Sequence, residues 1–204
     1  VRFMIGRVIF VRHGESVWNV TDPVRGLVTR FTGWANIELT QHGLRQAAAA
    51  GRCLRMFGIF PDAVYTSLLK RSQDTYLELA KPENANISNT PIINTWRLNE
   101  RHYGSLMGLS KEEAEMTMGK DLVRGWRRSW DLAPPKMLRE DEHYWRNAPW
   151  AEPKTIISYP GKPSVISYEK GIPMPLTESL QDCAKRVQPV WEKSIAPRVA
   201  RGDT

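Results

Sequence analysis

The residues best suited to chemistry in this sequence are Arg12 and His13, which stand with Gly14 directly after an apolar run. That run, Val8-Ile9-Phe10-Val11, predicts a buried parallel strand, whose end delivers side chains to the edge of a sheet where ligands bind. Arginine offers a planar fork for phosphate oxygens, and histidine offers a nucleophilic ring nitrogen. The stretch therefore indicates a phosphoryl-accepting histidine, although a lone histidine after a strand is more often a hydrogen-bonded structural residue.

Two further charged positions have both a functional and a structural interpretation. Arg71 falls in the first turn of a predicted helix, where free N–H groups favour phosphate, but most helical arginines are simply exposed. Glu100 lies between Arg97 and Arg101 in a polar loop. It suits an acid/base residue beside a phosphate site, and it equally suits a structural ion pair. Spacing along the chain does not decide between these interpretations.

The first half of the chain alternates strands and helices. Thr40 is a plausible N-cap for a helix that runs to about Phe57 and ends at Gly58. The other predicted elements are a strand over Asp62–Thr66, a helix over Leu68–Leu79 and a strand over Pro91–Thr95. This order predicts an α/β fold, a three-layer αβα arrangement around a mostly parallel central sheet.

The second half contains helices around a proline-rich stretch. Ser110 and Glu113 form a capping box for a helix that ends at Gly119, and a second helix is predicted over Asp121–Asp131. Residues 132–175 lack periodicity and hold eight prolines, which predicts an excursion over the active-site edge of the single domain 1–204.

The last helix and the end of the sequence give three more predictions. Thr177 is predicted to cap the helix, and Pro189 falls inside it, which predicts a kink or a break. The residues Gly202-Asp203-Thr204 predict a turn that leads into another strand.

The composition bounds the class of protein. The 204 residues carry a net charge of +7, which suits an anionic ligand, and the positive charge is spread rather than gathered in a nucleic-acid-binding tail. No apolar run approaches membrane-spanning length. The two cysteines, Cys53 and Cys183, lie in helical patterns and favour reduced packing residues over a disulfide. We expect a cytoplasmic protein that binds neither nucleic acid nor membrane.

The stretch Arg12-His13-Gly14-Glu15-Ser16 resembles the histidine phosphatase superfamily, and an ordered set of further motifs is similar to cofactor-dependent phosphoglycerate mutase. The set consists of Trp18-Asn19, Arg30-Phe31-Thr32-Gly33-Trp34, Leu69-Lys70-Arg71, Leu98-Asn99-Glu100-Arg101-His102-Tyr103-Gly104, Trp126-Arg127-Arg128-Ser129 and Pro175-Leu176-Thr177-Glu178-Ser179-Leu180. The resemblance covers nearly the whole chain. Of the single motifs, only the first is specific. The whole set, taken in this order, is highly specific.

The resemblance implies an enzyme that interconverts 3-phosphoglycerate and 2-phosphoglycerate. 2,3-Bisphosphoglycerate would prime it by leaving a phosphoryl group on His13, Glu100 would act as the general acid/base, and Arg12 and Arg71 would hold the transferring group. No metal is implied, and the family is usually dimeric or tetrameric. The positions that match the rest of the ligand site are Gly14, Glu15, Ser16, Asn19, Thr32, Gly33, Arg101, His102, Tyr103, Lys111, Arg127 and Arg128.

The sequence departs from this family in two places. The loop Val20–Thr29 is longer than usual, and the family's second histidine, in a His-Gly-Asn motif on a strand expected just after Thr204, is not in the sequence. We expect a fragment of a longer protein that lacks its C-terminal strand and helix. The alternatives are a histidine phosphatase, which would transfer the phosphoryl group to water, and a non-catalytic interaction protein that keeps the fold. A basic nucleic-acid binder is a third class, without a recognisable module.

Overall fold

The fold is α/β with a parallel sheet, as the sequence predicts. The computed structural model describes residues 6–138 and 175–204. The helices are α1 (Gln41–Met56), α2 (Lys70–Leu79), α3 (Lys111–Met118), α4 (Lys120–Arg128), α5 (Leu180–Val190) and α6 (Ala196–Ala200), and the strands are β1 (Val64–Thr66) and β2 (Ile92–Asn94). Short 3-10 turns lie at Pro23–Arg25, Trp96–Leu98 and Gly104–Leu106, and a π turn, Trp191–Ile195, joins α5 to α6. Most of the predicted proline-rich excursion lies outside the described residues.

The central unit is a β1–α2–β2 crossover. The two strands pair in parallel with Val64 opposite Ile92, and both residues pack on an apolar cluster that includes Tyr76 and Leu79 of α2. Helix α1 lies against α2, so closely that a Cβ on Gly51 would overlap the carbonyl oxygen of Leu79. This arrangement brings the start of α2 to the carboxyl end of β1, which is where the resemblance requires Arg71.

The prediction of a buried strand at residues 8–11 is wrong for the described structure. This segment is extended but belongs to no strand, and the side chain of Phe10 is 86% exposed. Its side chains line an open apolar groove against β1 and α2. The segment lacks a neighbouring strand to pair with. Arg7 N–H donates to the Asp203 carbonyl at 3.0 Å, but residues 8–11 make no backbone hydrogen bond to another strand in the described part of the chain.

Local capping chemistry fixes the starts of α1 and α3 where the sequence predicts them. The Thr40 hydroxyl accepts from Gly43 N–H, and Ser110 and Glu113 form the predicted capping box. The prediction for Thr177 is wrong, because Ser179 caps α5 with a reciprocal bond to Asp182. A serine followed three residues later by an acidic residue satisfies two orphan N–H groups, whereas the Thr177 hydroxyl donates to the Pro134 carbonyl.

The chain stays helical through Pro189, so the predicted break is not found. Helix α5 continues to Val190, and the distortion appears directly afterwards as the π turn Trp191–Ile195. A proline lacks the N–H that would close the helix and crowds the preceding turn, so a local change of hydrogen-bond register accommodates it. A hydrogen bond of 2.7 Å between the Ser194 and Tyr65 hydroxyls ties this turn to β1.

Two apolar clusters enclose the segment that follows β2. One contains Phe31, Leu106, Ala114, Val123 and Trp126, and the other contains Trp34, Ala35, Trp96, Met107 and Met137. The two ends of the proline-rich stretch also meet here, since Met137 N–H donates to the Leu176 carbonyl at 2.8 Å. The polar loop of residues 97–104 is therefore held between packed surfaces.

No helix of residues 6–138 or 175–204 has the length and apolar character needed to cross a bilayer. Both cysteines are free thiols, and Cys53 is exposed rather than packed as predicted.

Candidate active site

The turn that carries His13 is fastened to two helices. Gly14 N–H donates to the Thr75 hydroxyl at 3.0 Å, and that hydroxyl donates to the Arg71 carbonyl at 2.7 Å. On the other side, the backbones of Gly14 and Gly43 touch, because a Cβ on either glycine would overlap the other segment's backbone. His13 is thereby fixed between the start of α1 and the first turns of α2.

Because Gly43 meets the turn backbone to backbone, Gly43→Ala is expected to lower the free energy of unfolding by about 1–3 kcal/mol, the usual cost of overpacking. The added methyl would overlap the Glu15 carbonyl oxygen and displace the turn. Urea unfolding of the variant measures this effect. Ala49→Ser, an exposed change on the same helix, is the control and should shift stability by less than about 0.5 kcal/mol. Equal stability of Gly43→Ala and the wild type would contradict the tight contact.

His13 is prepared to act as a nucleophile. Its Nδ1 lies 2.7 Å from the Gly14 carbonyl oxygen, so Nδ1 carries the proton and the lone pair is on Nε2. Burial lowers the pKa of His13, the hydrogen bond to the Gly14 carbonyl opposes that change, and the positive charges of Arg71 and Arg12 lower the pKa further. A histidine pKa below 6.5 leaves the ring neutral at pH 7, the form that attacks phosphorus.

Arg71 is buried, with 1% of its surface exposed, so the interpretation as a solvated surface arginine is wrong. Its guanidinium donates to the carbonyls of Ala35 and Gly33, both at 2.9 Å, and to a carboxylate oxygen of Glu100 at 2.7 Å. Burial lowers the pKa of Arg71, and the Glu100 charge opposes that change. The guanidinium is thus locked in one orientation beside His13.

Glu100 combines the two interpretations that spacing left open. It forms an ion pair with Arg71, yet 38% of its side chain remains exposed. Its backbone carbonyl accepts from the indole N–H of Trp34 at 2.7 Å. A carboxylate that is held in this way and partly exposed can exchange a proton with a bound hydroxyl.

Several positive charges act on Lys111, and the negative charge of Glu100 acts on it as well. Burial lowers the pKa of Lys111, then Arg127 lowers it, and Arg12 and Arg128 lower it further, whereas Glu100 raises it. Lys111 begins α3, and Arg127 and Arg128 end α4. We call Lys111, Arg127 and Arg128 the cationic cap. The cationic cap comes from α3 and α4, whereas Arg71 comes from α2 and His13 from the turn that packs against it. The fold brings the two sets of residues together.

Arg101 belongs to the same region and keeps free donors. It is 5% exposed, its Nη2 donates to the Arg127 carbonyl at 3.1 Å, and its guanidinium stacks over the Tyr103 ring at 4.8 Å. Its Nε and Nη1 are buried and have no hydrogen-bond partner among the described residues. Buried guanidinium donors normally find an acceptor, so these two atoms favour an anion as their partner.

The other predicted ligand residues divide by their placement. Asn19 accepts from the Ser16 hydroxyl at 2.6 Å, and Thr32 and Gly33 lie beside Arg71 and its carbonyl partners. Ser16 and His102 are fully buried, inside the turn and the loop. The Glu15 carboxylate accepts from the Thr40 hydroxyl at 2.7 Å, at the start of α1. Their contact with a ligand stays a prediction.

His102 stays neutral because of its surroundings. Its Nδ1 accepts from Gly104 N–H at 3.0 Å, its ring contacts Trp34 edge-on, and burial together with Arg186 lowers the pKa of His102 to about 4. The unfolded chain binds this proton near pH 6.5, so between pH 6.5 and 4 it holds more protons than the folded chain. Stability contributed by His102 is therefore present above pH 6.5 and is lost as the pH falls towards 4.

This lowered pKa predicts a specific pH dependence of stability. Between pH 7 and 4, the wild type should lose about 3 kcal/mol more unfolding free energy than His102→Asn. The asparagine does not titrate, and its side-chain oxygen can still accept from Gly104 N–H. Denaturant unfolding at the two pH values measures the difference, with His42→Asn, an exposed site on α1, as the control. Parallel pH curves for the wild type and His102→Asn would contradict a depressed pKa.

Several supporting residues were missed by sequence reasoning. Thr75 joins the nucleophile turn to Arg71, and Trp34, Glu178 and Arg186 hold the backbone of the loop that contains Glu100. Glu178 lies inside one of the motifs shared with phosphoglycerate mutase, but the motif did not indicate what Glu178 does. Nothing in the spacing of Arg186 connects it to a loop more than eighty residues earlier.

Comparison with known families agrees with this geometry. The family model described as the histidine phosphatase superfamily (branch 1) matches residues 8–167, which include the His13 turn, Arg71 and Glu100. The chain belongs to the histidine phosphatase superfamily. The match covers well over half of the sequence, so the family is established for the His13 turn and for the elements that surround it.

Solved structures with the same fold include phosphatases. A mycobacterial glucosyl-3-phosphoglycerate phosphatase in complex with VO3 is 22% identical, with a TM-score of 0.58 over 94% of this chain and 66% of that chain. A putative alpha-ribazole-5'-P phosphatase from Escherichia coli is 19% identical, with a TM-score of 0.50 over 90% of this chain and 66% of that chain. At these identities the likeness shows the fold alone. The chain spans less than two thirds of the length of these proteins.

Proposed function

We propose that this protein interconverts 3-phosphoglycerate and 2-phosphoglycerate through a phosphohistidine on His13, primed by 2,3-bisphosphoglycerate. The observation that carries the proposal is the cationic cap of Lys111, Arg127 and Arg128, which adds to the cations Arg71 and Arg12 that act on His13. One set of cations suits the transferring phosphoryl group, and the other suits the remaining anionic groups of a small polyanionic acid.

The chemistry of the first step follows from the geometry of His13 and Glu100. The Nε2 lone pair attacks phosphorus of the donor, the P–N bond forms, and the P–O ester bond breaks. The leaving oxygen takes a proton from Glu100, and Arg71 stabilises the charge of the transferring group. In the second step, a hydroxyl of monophosphoglycerate gives its proton to Glu100, and its oxygen attacks the phosphorus of the phosphohistidine, so that the P–N bond breaks and His13 leaves in its neutral form. The bisphosphoglycerate formed then reorients and returns its other phosphoryl group to His13.

A phosphatase is the second candidate, and one observation favours it. With 38% of its side chain exposed, Glu100 is open to solvent and can activate water as well as a substrate hydroxyl. The similar folds include a phosphatase named for a phosphoglycerate derivative. Both candidates share the phosphohistidine and differ in the acceptor. The cationic cap suits the anionic groups of a phosphorylated acid in both cases, and the ordered motifs that resemble phosphoglycerate mutase favour the mutase.

Partitioning of a labelled phosphoryl group separates the two candidates. The protein is phosphorylated by radiolabelled 2,3-bisphosphoglycerate and then mixed with excess 3-phosphoglycerate, and the label is followed in bisphosphoglycerate, in 2-phosphoglycerate and in inorganic phosphate. A mutase returns the label to the organic products. Release of nearly all label as inorganic phosphate, even with saturating 3-phosphoglycerate, would contradict the mutase and support the phosphatase.

A further inference from the structure

A buried ion pair between Glu178 and Arg186 lies behind the loop that carries Glu100. Both side chains are almost fully enclosed, at 5% and 6% exposure. The guanidinium meets the carboxylate as a fork: Nε bonds one carboxylate oxygen, and Nη2 bonds the other at 2.9 Å. Taking two charges out of water is costly, and an apolar pair often packs at least as well. A buried ion pair of this kind is therefore expected to have a role other than packing.

The pair uses its remaining bonds on the backbone of the Glu100 loop. Arg186 Nη1 donates to the Arg97 carbonyl at 2.7 Å, and Nη2 also donates to the Glu100 carbonyl at 2.9 Å. Glu178 accepts from His102 N–H at 2.8 Å through the same oxygen that Nη2 bonds. The loop is thus fixed before, at and after Glu100 by Glu178, which directly precedes the cap of α5, and by Arg186 within α5.

Glu100 is consequently held from two sides. Its backbone carbonyl is fixed by Arg186 and by the indole N–H of Trp34, and its carboxylate is fixed by Arg71. The guanidinium of Arg186 also lies over the Trp34 ring at 5.6 Å, so the two backbone donors support each other. A planar fork with several directed donors is needed to reach two carbonyls and a carboxylate at once, which a lysine cannot do.

We infer that Arg186, set in place by Glu178, is a positioning residue that holds Glu100 in the geometry needed for proton transfer to and from the leaving oxygen. This inference rests on the proposed phosphoryl transfer through His13. Arg186 touches neither His13 nor the open face of the Glu100 carboxylate in the described contacts. Its loss should therefore weaken acid/base catalysis and leave the nucleophile and Arg71 in place.

Leaving-group dependence distinguishes this role from a merely structural one. Phosphorylation of His13 is measured in a single turnover with two donors of similar shape, p-nitrophenyl phosphate and benzyl phosphate. The nitrophenolate oxygen leaves without a proton, whereas the benzyl alcohol oxygen needs one from Glu100. For Arg186→Lys, we expect the rate with benzyl phosphate to fall about 100-fold, because a small displacement of a catalytic group costs about that much. With p-nitrophenyl phosphate the fall should stay below about 10-fold.

Two further variants keep the test decisive. Glu178→Gln preserves the shape of the pair and should show the same selective loss, and Arg201→Lys, on the exposed end of the chain's last helix, should show none. Thermal unfolding of each variant checks that the protein remains folded. Equal losses with the two donors in both Arg186→Lys and Glu178→Gln would overturn the inference. A wild-type protein that neither donor phosphorylates would instead contradict the proposed function itself, so the two failures are distinguishable.

Discussion

Arg71→Met is expected to reduce phosphorylation of His13 by about 1,000-fold, the upper range for removing one preorganised donor from a developing charge. Arg71 is the buried cation beside the nucleophile, and three directed bonds prevent it from moving. Methionine fills much of the volume but stabilises no negative charge. The rate is measured in a single turnover with 2,3-bisphosphoglycerate and with p-nitrophenyl phosphate, and both donors should be affected, since Arg71 acts on the phosphoryl group and not on the leaving oxygen.

The same variant should also be less stable, by on the order of 3 kcal/mol. The carbonyls of Ala35 and Gly33 lose their donors inside the protein, while the half-open Glu100 regains water. Lys70→Met, at the adjacent position of α2, is the matched control. Its pair with Asp74 is partly exposed, so its loss should cost less than about 1 kcal/mol and leave the transfer rate unchanged. A transfer rate for Arg71→Met near that of Lys70→Met would contradict the assigned role.

Glu100→Gln is expected to slow transfer between hydroxyl groups by about 1,000-fold, within the range for loss of a general acid/base. Glutamine has the same shape, and its amide oxygen can still accept from Arg71, so the loop should keep its position. The amide cannot deliver a proton to a leaving alkoxide. Exchange of label between 3-phosphoglycerate and bisphosphoglycerate measures this effect, and p-nitrophenyl phosphate should largely escape it, because its leaving group needs no proton.

Glu112→Gln provides the comparison for Glu100→Gln. Glu112 is exposed in the first turn of α3 and makes no described contact with the cleft. Its replacement should leave both donors unaffected. A uniform loss for Glu100→Gln with the alkyl and the aryl donor would indicate that Glu100 only supports Arg71, and would contradict its role in proton transfer.

Local chemistry explains which parts of the fold could be predicted from sequence. The Ser110–Glu113 capping box and the end of α3 at Gly119 depend on residues within one or two turns, and the structure has both. The parallel pairing of β1 and β2 follows from the order of strands around α2. The segment 8–11 fails because an apolar run specifies burial only when a neighbouring strand completes its ladder, and the described chain supplies none along it.

The sequence names candidate reactive groups for the site but not the contacts that support them. His13, Arg71 and Glu100 carry side chains with evident chemistry, and the resemblance placed them together. The burial of Arg71 depends on carbonyls of residues 33 and 35, and the hold on Glu100 depends on Arg186, which is 86 residues away along the chain. Such long-range backbone contacts carry no periodic signal. The burial of His102 could not be predicted for the same reason, since it involves packing against Trp34.

The measurement that tests the central claim most directly is the detection of a phosphoryl group on His13. The protein is incubated with radiolabelled 2,3-bisphosphoglycerate and digested at alkaline pH, and the labelled peptide is sequenced by mass spectrometry. His13→Asn removes the nucleophile, and His42→Asn, at an exposed histidine of α1, is the control. We predict an acid-labile phosphoryl group on His13 in the wild type and in His42→Asn, and none in His13→Asn. Label that persists in His13→Asn, or a wild type that takes up none, would contradict the account.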